Sequence, residues 1–424
     1  MKHELENGSI GKCRFCQTPL QHTVVHLGMS PLCQDFINPE ELKSMTPFYP
    51  LHVYVCEQCF LVQLEEFATP EEIYHDYLYF SSYSDTWLRH SKLYSDRVID
   101  RFNITSQSLV CEVASNDGYL LQYFFLRGIP VLGIEPASQA ANIAIKKGIN
   151  TEKKFFGEET ASDLVYKYGK ADLLIGNNVL AHVPDINDFI SGMELFLKED
   201  GVITMEFPHL LKLIEGNQFD TIYHEHFSYL SFTTVNKMFE HHGLKLFDVE
   251  ELPTHGGSLR IYATHDKCKK YEVSPAVHQM LQLEWDAGIC SLDYYRAFKQ
   301  KTEETKWKIL EFLIMAKRKG KRIVGYGAPG KGNTLLNYCG IRTDFLDFTV
   351  DRNPFRQGKY LPGTLIPVYH PDKIKEVKPD YVFILPWNLK EEIMDNLDYI
   401  SQWGGKFVVP IPELKIVETS KETV

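Results

Sequence analysis

No stretch of the 424 residues is apolar for long enough to span a bilayer, and the opening MKHELENGSI has no apolar core of a secretory signal. A cytoplasmic chain without membrane contact is the expectation. A surplus of positive charge is missing too. The net charge of −11 argues against broad nucleic-acid binding. Internal repeats and low-complexity tracts are absent, which excludes solenoids and long disordered linkers. In a reducing compartment the nine cysteines point to thiols and metal ligands rather than disulfides. What remains is an ordinary globular composition, 44% hydrophobic, in a chain long enough for two or three domains.

Cysteine placement carries the first signal. Cys13-Arg-Phe-Cys16 and Cys56-Glu-Gln-Cys59 are two C-x-x-C knuckles. Together they can offer four thiolates to one structural zinc. The insert between them is longer than in standard zinc fingers and rich in turn residues, so a small strand-rich lobe is expected. Two unrelated thiol pairs are the plainer alternative. A closed four-thiolate shell leaves no position for chemistry.

The middle of the chain alternates apolar strands and helical runs: SLVCEVASNDGYLLQYFFLRG (108–128), VLGIEPASQAANIAIKKG (131–148), ADLLIGNNVLAHVPDINDF (171–189) and GVITMEFPHL (201–210). That alternation builds a parallel sheet whose ligands bind at the carboxyl ends of its strands. The expected site residues there are Glu112, then Ser115, Asn116, Asp117 and Gly118 in the first turn. Glu135 and Pro136 follow the second strand, Asn177 and Asn178 the third. An acidic side chain about twenty residues past the first turn suits a ribose diol; here it is Glu135. The first turn lacks G-x-G-x-x-G, so no diphosphate is implied, and S-adenosylmethionine fits better than NAD. A Rossmann-type sheet with another ligand stays open.

KRIVGYGAPGKGNTLLNY (321–338) fails as a Walker A loop, because Gly332 stands where Ser or Thr must meet magnesium. As G-x-G-x-x-G, Gly325, Gly327 and Gly330 follow a strand and open a helix, with Asp351 about twenty residues on. A diphosphate at a helix N-terminus is expected, from NAD or from a nucleotide sugar alike.

YHEHFSY (223–229) looks at first like a zinc protease signature. That motif needs a second histidine four residues after the first, and position 228 is Ser228. His226, beside Glu225 and Tyr223, is left as a set able to move protons. His182, in Leu-Ala-His-Val-Pro, by itself reads more readily as a satisfied structural histidine than as a catalyst.

Taken in order, C-x-x-C twice, YxYxSSYS, EVASNDGYL, NNVLAHVPDINDF, YHEHFSYLS, HGGSLR, GYGAPGKGNTLLN, DRNPFRQGKYLPGTLIP and LPWNL cover most of the chain. This series resembles the zinc-containing nucleotide-sugar C-methyltransferases that make branched deoxysugars. The resemblance implies an α/β chain in three parts: a zinc lobe (1–70), an S-adenosylmethionine-dependent methyltransferase domain (71–250) and a C-terminal Rossmann-like domain for the nucleotide sugar (251–424). It implies methylation at C-3 of a nucleotide-diphosphate 4-keto-6-deoxyhexose through an enolate. His226 would be the base, with Glu225, Tyr223 and His182 assisting. The sugar nucleotide would be held by Tyr77, Tyr79, Ser81 and Ser82, by His255, Gly257, Ser258 and Arg260 of HGGSLR, and by the C-terminal lobe. In that lobe the implied residues are Tyr326, Ala328, Lys331 and Asn333, then Asp351, Arg352 and Arg356. Two departures stand out: Leu365 where the pattern has histidine, and Arg356 where it has lysine. Both fall in the substrate lobe and bear on which nucleotide binds. No obligate protein partner is implied.

Two other classes compete. A nicotinamide-dependent oxidoreductase acting on a nucleotide sugar would use the C-terminal glycine loop. A zinc-ribbon adaptor would need a basic stripe, and GKCRFC supplies only Lys12 and Arg14.

Overall fold

The computed structural model describes residues 11–74 and 80–418, so Tyr77 and Tyr79 lie outside the described residues. The chain forms two compact units from interleaved stretches. The first takes the chain up to His22, Val55–Leu210 and His226–Cys290; the second takes Thr23–Tyr54, Leu211–Glu225 and Ser291 onward.

The amino-terminal stretch forms β1 (His22–Ser30), β2 (Tyr49–Val55) and β3 (Val62–Leu64). In β2 the alternation is strict: Leu51, Val53 and Val55 turn inward and the residues between them face out, as a pleated strand with one buried face requires.

The first unit carries β4 (Val110–Val113), β5 (Val131–Ile134), β6 (Thr151–Glu152), β7 (Ala171–Asn177), β8 (Leu197–Pro208), β9 (Ser228–Tyr229), β10 (Leu244–Leu252) and β11 (Ser258–His265). Its seven-stranded sheet runs β10-β11-β8-β7-β4-β5-β6. The strands from β4 to β8 are parallel, whereas β11 lies antiparallel to β8 with Leu259 opposite Phe207. β3 pairs with β9, Val62 opposite Tyr229. Short runs such as LLIGN are apolar on both faces because helices cover both sides of a parallel sheet. One of these helices, Asp85–Phe102, starts where Ser84 accepts from the Trp87 amide and stops at Asn103 in the left-handed region. Its Tyr94, Val98 and Phe102 join Leu121, Phe124 and Leu173 in the core, each large side chain contributing about 1.5–3 kcal/mol on burial.

The boundary expected at residue 250 falls near the end of β10. The first sheet continues past it, because β11 fills the place between β10 and β8.

The second unit has a six-stranded sheet from β12 (Ile323–Tyr326), β13 (Thr349–Val350), β14 (Val368–Tyr369), β15 (Tyr381–Ile384), β16 (Lys406–Val409) and β17 (Lys415–Glu418), in the order β14-β13-β12-β15-β16-β17. All neighbours are parallel except β17 against β16. In each unit one strand has its sequence successors on opposite sides, β4 between β5 and β7, β12 between β13 and β15. At such a switch point the following loops diverge and leave a crevice.

Candidate active site

The four knuckle cysteines meet. Cys13 and Cys59 sulfurs are 3.5 Å apart, Cys16 and Cys56 3.4 Å, and all four lie within 4.8 Å of one another. Tetrahedral zinc with Zn–S of about 2.3 Å sets sulfur–sulfur separations near ~3.8 Å, so the set fits zinc. The Gln63 amide donates to Cys13 Sγ at 3.2 Å, an outer contact of the kind that steadies thiolates.

At the switch point of the first unit the turn after β4 is tightly bent. Ala114 (φ 56°), Asn116 (φ 48°) and Gly118 (φ 75°) are left-handed. Glu135 braces this turn from the end of β5: its carboxylate accepts from the Asn116 amide and the Ala137 amide, each at 2.8 Å. Burial pushes the Glu135 carboxyl up to about 7, and those two amides only partly offset it. Lys147 crosses to the Asp117 carbonyl at 2.8 Å and to Ser82 Oγ at 3.0 Å, while the Ser81 amide donates to Asn116 Oδ1. Among the described residues Ser115 Oγ, Asp117 Oδ1 and Asn178 Oδ1 are buried without a hydrogen-bond partner. Orphaned polar atoms converging on loops at strand ends are what a polar nucleoside ligand satisfies. Glu112 is fully buried within β4, and burial raises its carboxyl against the opposing influence of Tyr119. Pro136 follows Glu135 directly.

Two histidine contacts sit in the same unit. His182, in a short turn after β7, meets His226 edge-to-face with ring centroids 4.7 Å apart. Burial pulls the His182 imidazole down to about 4, so it is neutral at pH 7. His255 is left-handed (φ 55°, ψ 15°), as is Asn178 (φ 55°), and Asn178 Nδ2 lies 3.3 Å from His255 Nε2. Two non-glycine residues held in this region 77 positions apart and touching are the kind of strain that surrounds functional sites. Trp87 packs its edge on His255 and stacks on His90 at 4.9 Å. Below them Glu206 of β8 receives His90 at 2.8 Å, Thr254 Oγ1 at 2.8 Å and Arg260. Burial works to raise this carboxyl, but the His90 bond and the Arg260 charge overcome it and bring it down to about 2. Arg260, expected to meet the sugar nucleotide, is only 1% exposed and is committed to Glu206. Gly257 and Ser258 lead into β11 beside it.

Tyr223 and Glu225 belong to the second unit, where the chain passes to the first between Glu225 and His226. Glu225 is buried and accepts from the Cys33 thiol at 3.3 Å. Burial raises its carboxyl to about 7, against the thiol and Arg356. Around the glycine loop, Asp351 accepts from the Ala328 amide (2.7 Å) and the Asn353 amide (2.8 Å), with Arg356 at 3.3 Å. Lys331 donates to Asn388 at 2.9 Å and lies 4.5 Å over the Trp387 ring. Trp387 in turn donates to Asp220 at 2.7 Å. Burial lowers the Lys331 ammonium, and the nearby Asp220 works to keep it charged. Arg352 is exposed beside Glu392, and Tyr326 closes β12. Protein fills the glycine faces. A Cβ at Gly327 (φ 88°) would sit 2.5 Å from Pro386, and one at Gly330 2.8 Å from Cys33 Sγ.

Three family models match the chain in order: a zinc binding domain over residues 13–74, a methyltransferase domain over 87–249 and a C-methyltransferase C-terminal domain over 253–412. The C-methyltransferase NovU of Streptomyces niveus is 36% identical over 408 residues, 96% of this chain and 97% of that one. The chain belongs to this C-methyltransferase family. Its cofactors are S-adenosylmethionine and zinc; the orphaned atoms after β4 and β7 fit the first, and the cluster of Cys13, Cys16, Cys56 and Cys59 fits the second. A methyltransferase from Clostridium acetobutylicum is 13% identical over 42% of this chain and 92% of its own, TM-score 0.35. Magnesium protoporphyrin IX methyltransferase from Synechocystis PCC 6803 is 17% identical over 46% and 88%, TM-score 0.32. At these scores the structural likeness carries no argument. The oxidoreductase alternative is not favoured.

Outside any sequence motif, Trp87, His90 and Glu206 make close side-chain contacts in the first unit, and Cys33 and Asp220 do so in the second. Only Glu206 carried a signal, a lone carboxylate within the apolar run GVITMEFP that must find a buried cation.

Proposed function

We propose that this C-methyltransferase acts on C-3 of a nucleotide-linked 4-keto-6-deoxyhexose, by way of an enolate, in branched deoxysugar synthesis. S-adenosylmethionine, when bound, supplies an electrophilic methyl group. The contact of His226 with His182 carries the reading. A ketone at C-4 acidifies the C-3 hydrogen, and imidazole is the side chain whose basicity suits its removal near neutral pH. His226 takes that proton. His182, neutral through burial, keeps a ring N–H to donate to an enolate oxygen without adding a second positive charge beside His226. Tyr223 is a further donor to that oxygen, and Glu225 balances the imidazolium. Glu135 holds the ribose of the methyl donor, and the Ser115–Gly118 turn backs its methionine part. In the glycine-loop region Lys331, Asn333, Arg352 and Arg356 hold the nucleotide-diphosphate portion, with Asp351 bracing the Ala328 amide.

Replacing His226 with Asn tests the assignment. Both ligands should still bind while turnover falls roughly 10²–10⁴-fold, the usual worth of a general base. In heavy water with S-adenosylhomocysteine in place of the donor, wild type should exchange the C-3 hydrogen of the 4-keto sugar nucleotide, and the variant should not. Exchange that survives in the variant while methyl transfer fails would make His226 a positioning group and move the base elsewhere.

A further inference from the structure

We propose that Cys33 is a positioning residue for Glu225, its thiol holding one oxygen of that carboxylate. The inference rests on the role given to Glu225 above.

The thiol is buried and donates to Glu225 Oε1 at 3.3 Å, a contact between residues 192 positions apart. Its loop is fixed at several points inside the second unit. Asn333 Nδ2 donates to the Cys33 carbonyl at 2.6 Å. Arg356 reaches Gln34 Oε1 at 3.4 Å and lies 5.4 Å over the ring of Phe36. Gly330 leaves the room, since a Cβ there would stand 2.8 Å from the sulfur. Asn333 is 1% exposed and its Oδ1 accepts no hydrogen bond among the described residues, so an unmet acceptor sits on the residue that fixes the Cys33 loop.

A buried carboxylate needs donors or it gives up its charge. Among the described residues, the charged and titratable groups acting on Glu225 are Cys33, from the loop after β1, and Arg356, from the turn after β13, which Asp351 holds at 3.3 Å. The neighbouring His224 turns instead to the Pro50 carbonyl at 3.1 Å. Burial, together with the adjacent carboxylate, pushes the Cys33 thiol well above its ordinary value, so it keeps its proton and remains a donor through neutral pH. The donor works against burial, which otherwise drives Glu225 toward its neutral acid. With Ala at 33 only Arg356 still opposes burial, and Glu225 should ionise at higher pH. With Ser a hydroxyl donor is restored.

The experiment measures kcat/KM against pH for wild type, Cys33→Ala, Cys33→Ser and Glu225→Gln. The Glu225 carboxyl is followed separately, by infrared difference against Glu225→Gln. Cys33→Ala should move both the acid limb and the carboxyl titration up by at least about half a pH unit, roughly threefold in proton concentration. Cys33→Ser should return both toward wild type. If Cys33→Ala lowers melting temperature or activity while the titration and the acid limb stay put, Cys33 is packing only and the proposal is overturned. If Cys33→Ala does not fold, the Cys33→Ser titration decides: a carboxyl that titrates above wild type although a hydroxyl stands at 33 overturns it. The failure of the underlying reading looks different. Glu225→Gln with unchanged kcat/KM removes the role of Glu225 whatever Cys33 does.

Discussion

Charge inside an α/β turn must be supported by donors, and Glu135 shows how narrowly this is met. Two amides hold its carboxylate at 2.8 Å, yet burial still carries it up to about 7. Because the folded value is raised above the unfolded one, the stability this group contributes is present at low pH and is lost as pH rises through about 7. Ligand binding has the opposite slope, since the ionised carboxylate is the better acceptor for a ribose diol. S-adenosylhomocysteine should therefore bind more tightly at about pH 8 than at about pH 5.5, on either side of that titration, and Glu135→Ala should abolish the slope. The variant should also lose on the order of 1.5–3 kcal/mol of binding energy, the value of a hydrogen bond to a charged group. Titration calorimetry at the two pH values checks both. Equal affinity in wild type and variant would take the ribose away from Glu135.

Among elements, the zinc knuckles were the most legible, because ligand spacing is written directly in the chain. Folding adds that Gln63 supports Cys13 and that the Arg14 amide donates to Gln63 Oε1 at 2.9 Å. A small lobe whose strands are tied by a four-thiolate cluster depends on its metal. Cys56→Ser should reduce zinc to well below one per chain, lower the melting temperature and cut soluble yield. Elemental analysis and thermal unfolding test it, and a stable, active, zinc-free protein would refute the structural role. The alternation of strands and helices was also readable, since parallel strands give continuous apolar runs. The glycine loop was legible only in part. Its spacing announced a strand, a tight turn and a helix, and Ile323–Tyr326 followed by Gly330–Cys339 are just those. What stands against the glycines was not readable. Pro386 comes from the end of another strand, and Cys33 is tied to Asn333 across 300 residues. No local pattern encodes such a contact.

For the whole molecule, the compact units are built from stretches that are not continuous along the chain. Expected blocks followed one another along the chain, whereas the compact units exchange segments, and the first runs on to Cys290. The reason is physical. β8 is an inner strand only when β11 pairs with it, Leu259 opposite Phe207 and Ile261 opposite Met205. Arg260 on that same strand is the cation for Glu206, which has no solvent exposure. A chain cut at residue 250 loses both at once: it exposes the apolar edge of β8 and strands a carboxylate in the core. Removing one member of a buried ion pair alone costs about 3–5 kcal/mol, a large share of the roughly 5–15 kcal/mol that keeps a domain folded. Residues 1–250 should therefore be insoluble or unfolded by circular dichroism and fail to bind S-adenosylhomocysteine. Residues 1–290 restore β11, Arg260 and the Glu284 carboxylate, which accepts at 2.7 Å from the Phe232 and Thr233 amides and pairs with His209 at the same distance. This longer piece should retain cooperative unfolding and bind both zinc and S-adenosylhomocysteine. If the two fragments behave alike, the hairpin is an appendage and the first unit is already complete at the end of β10.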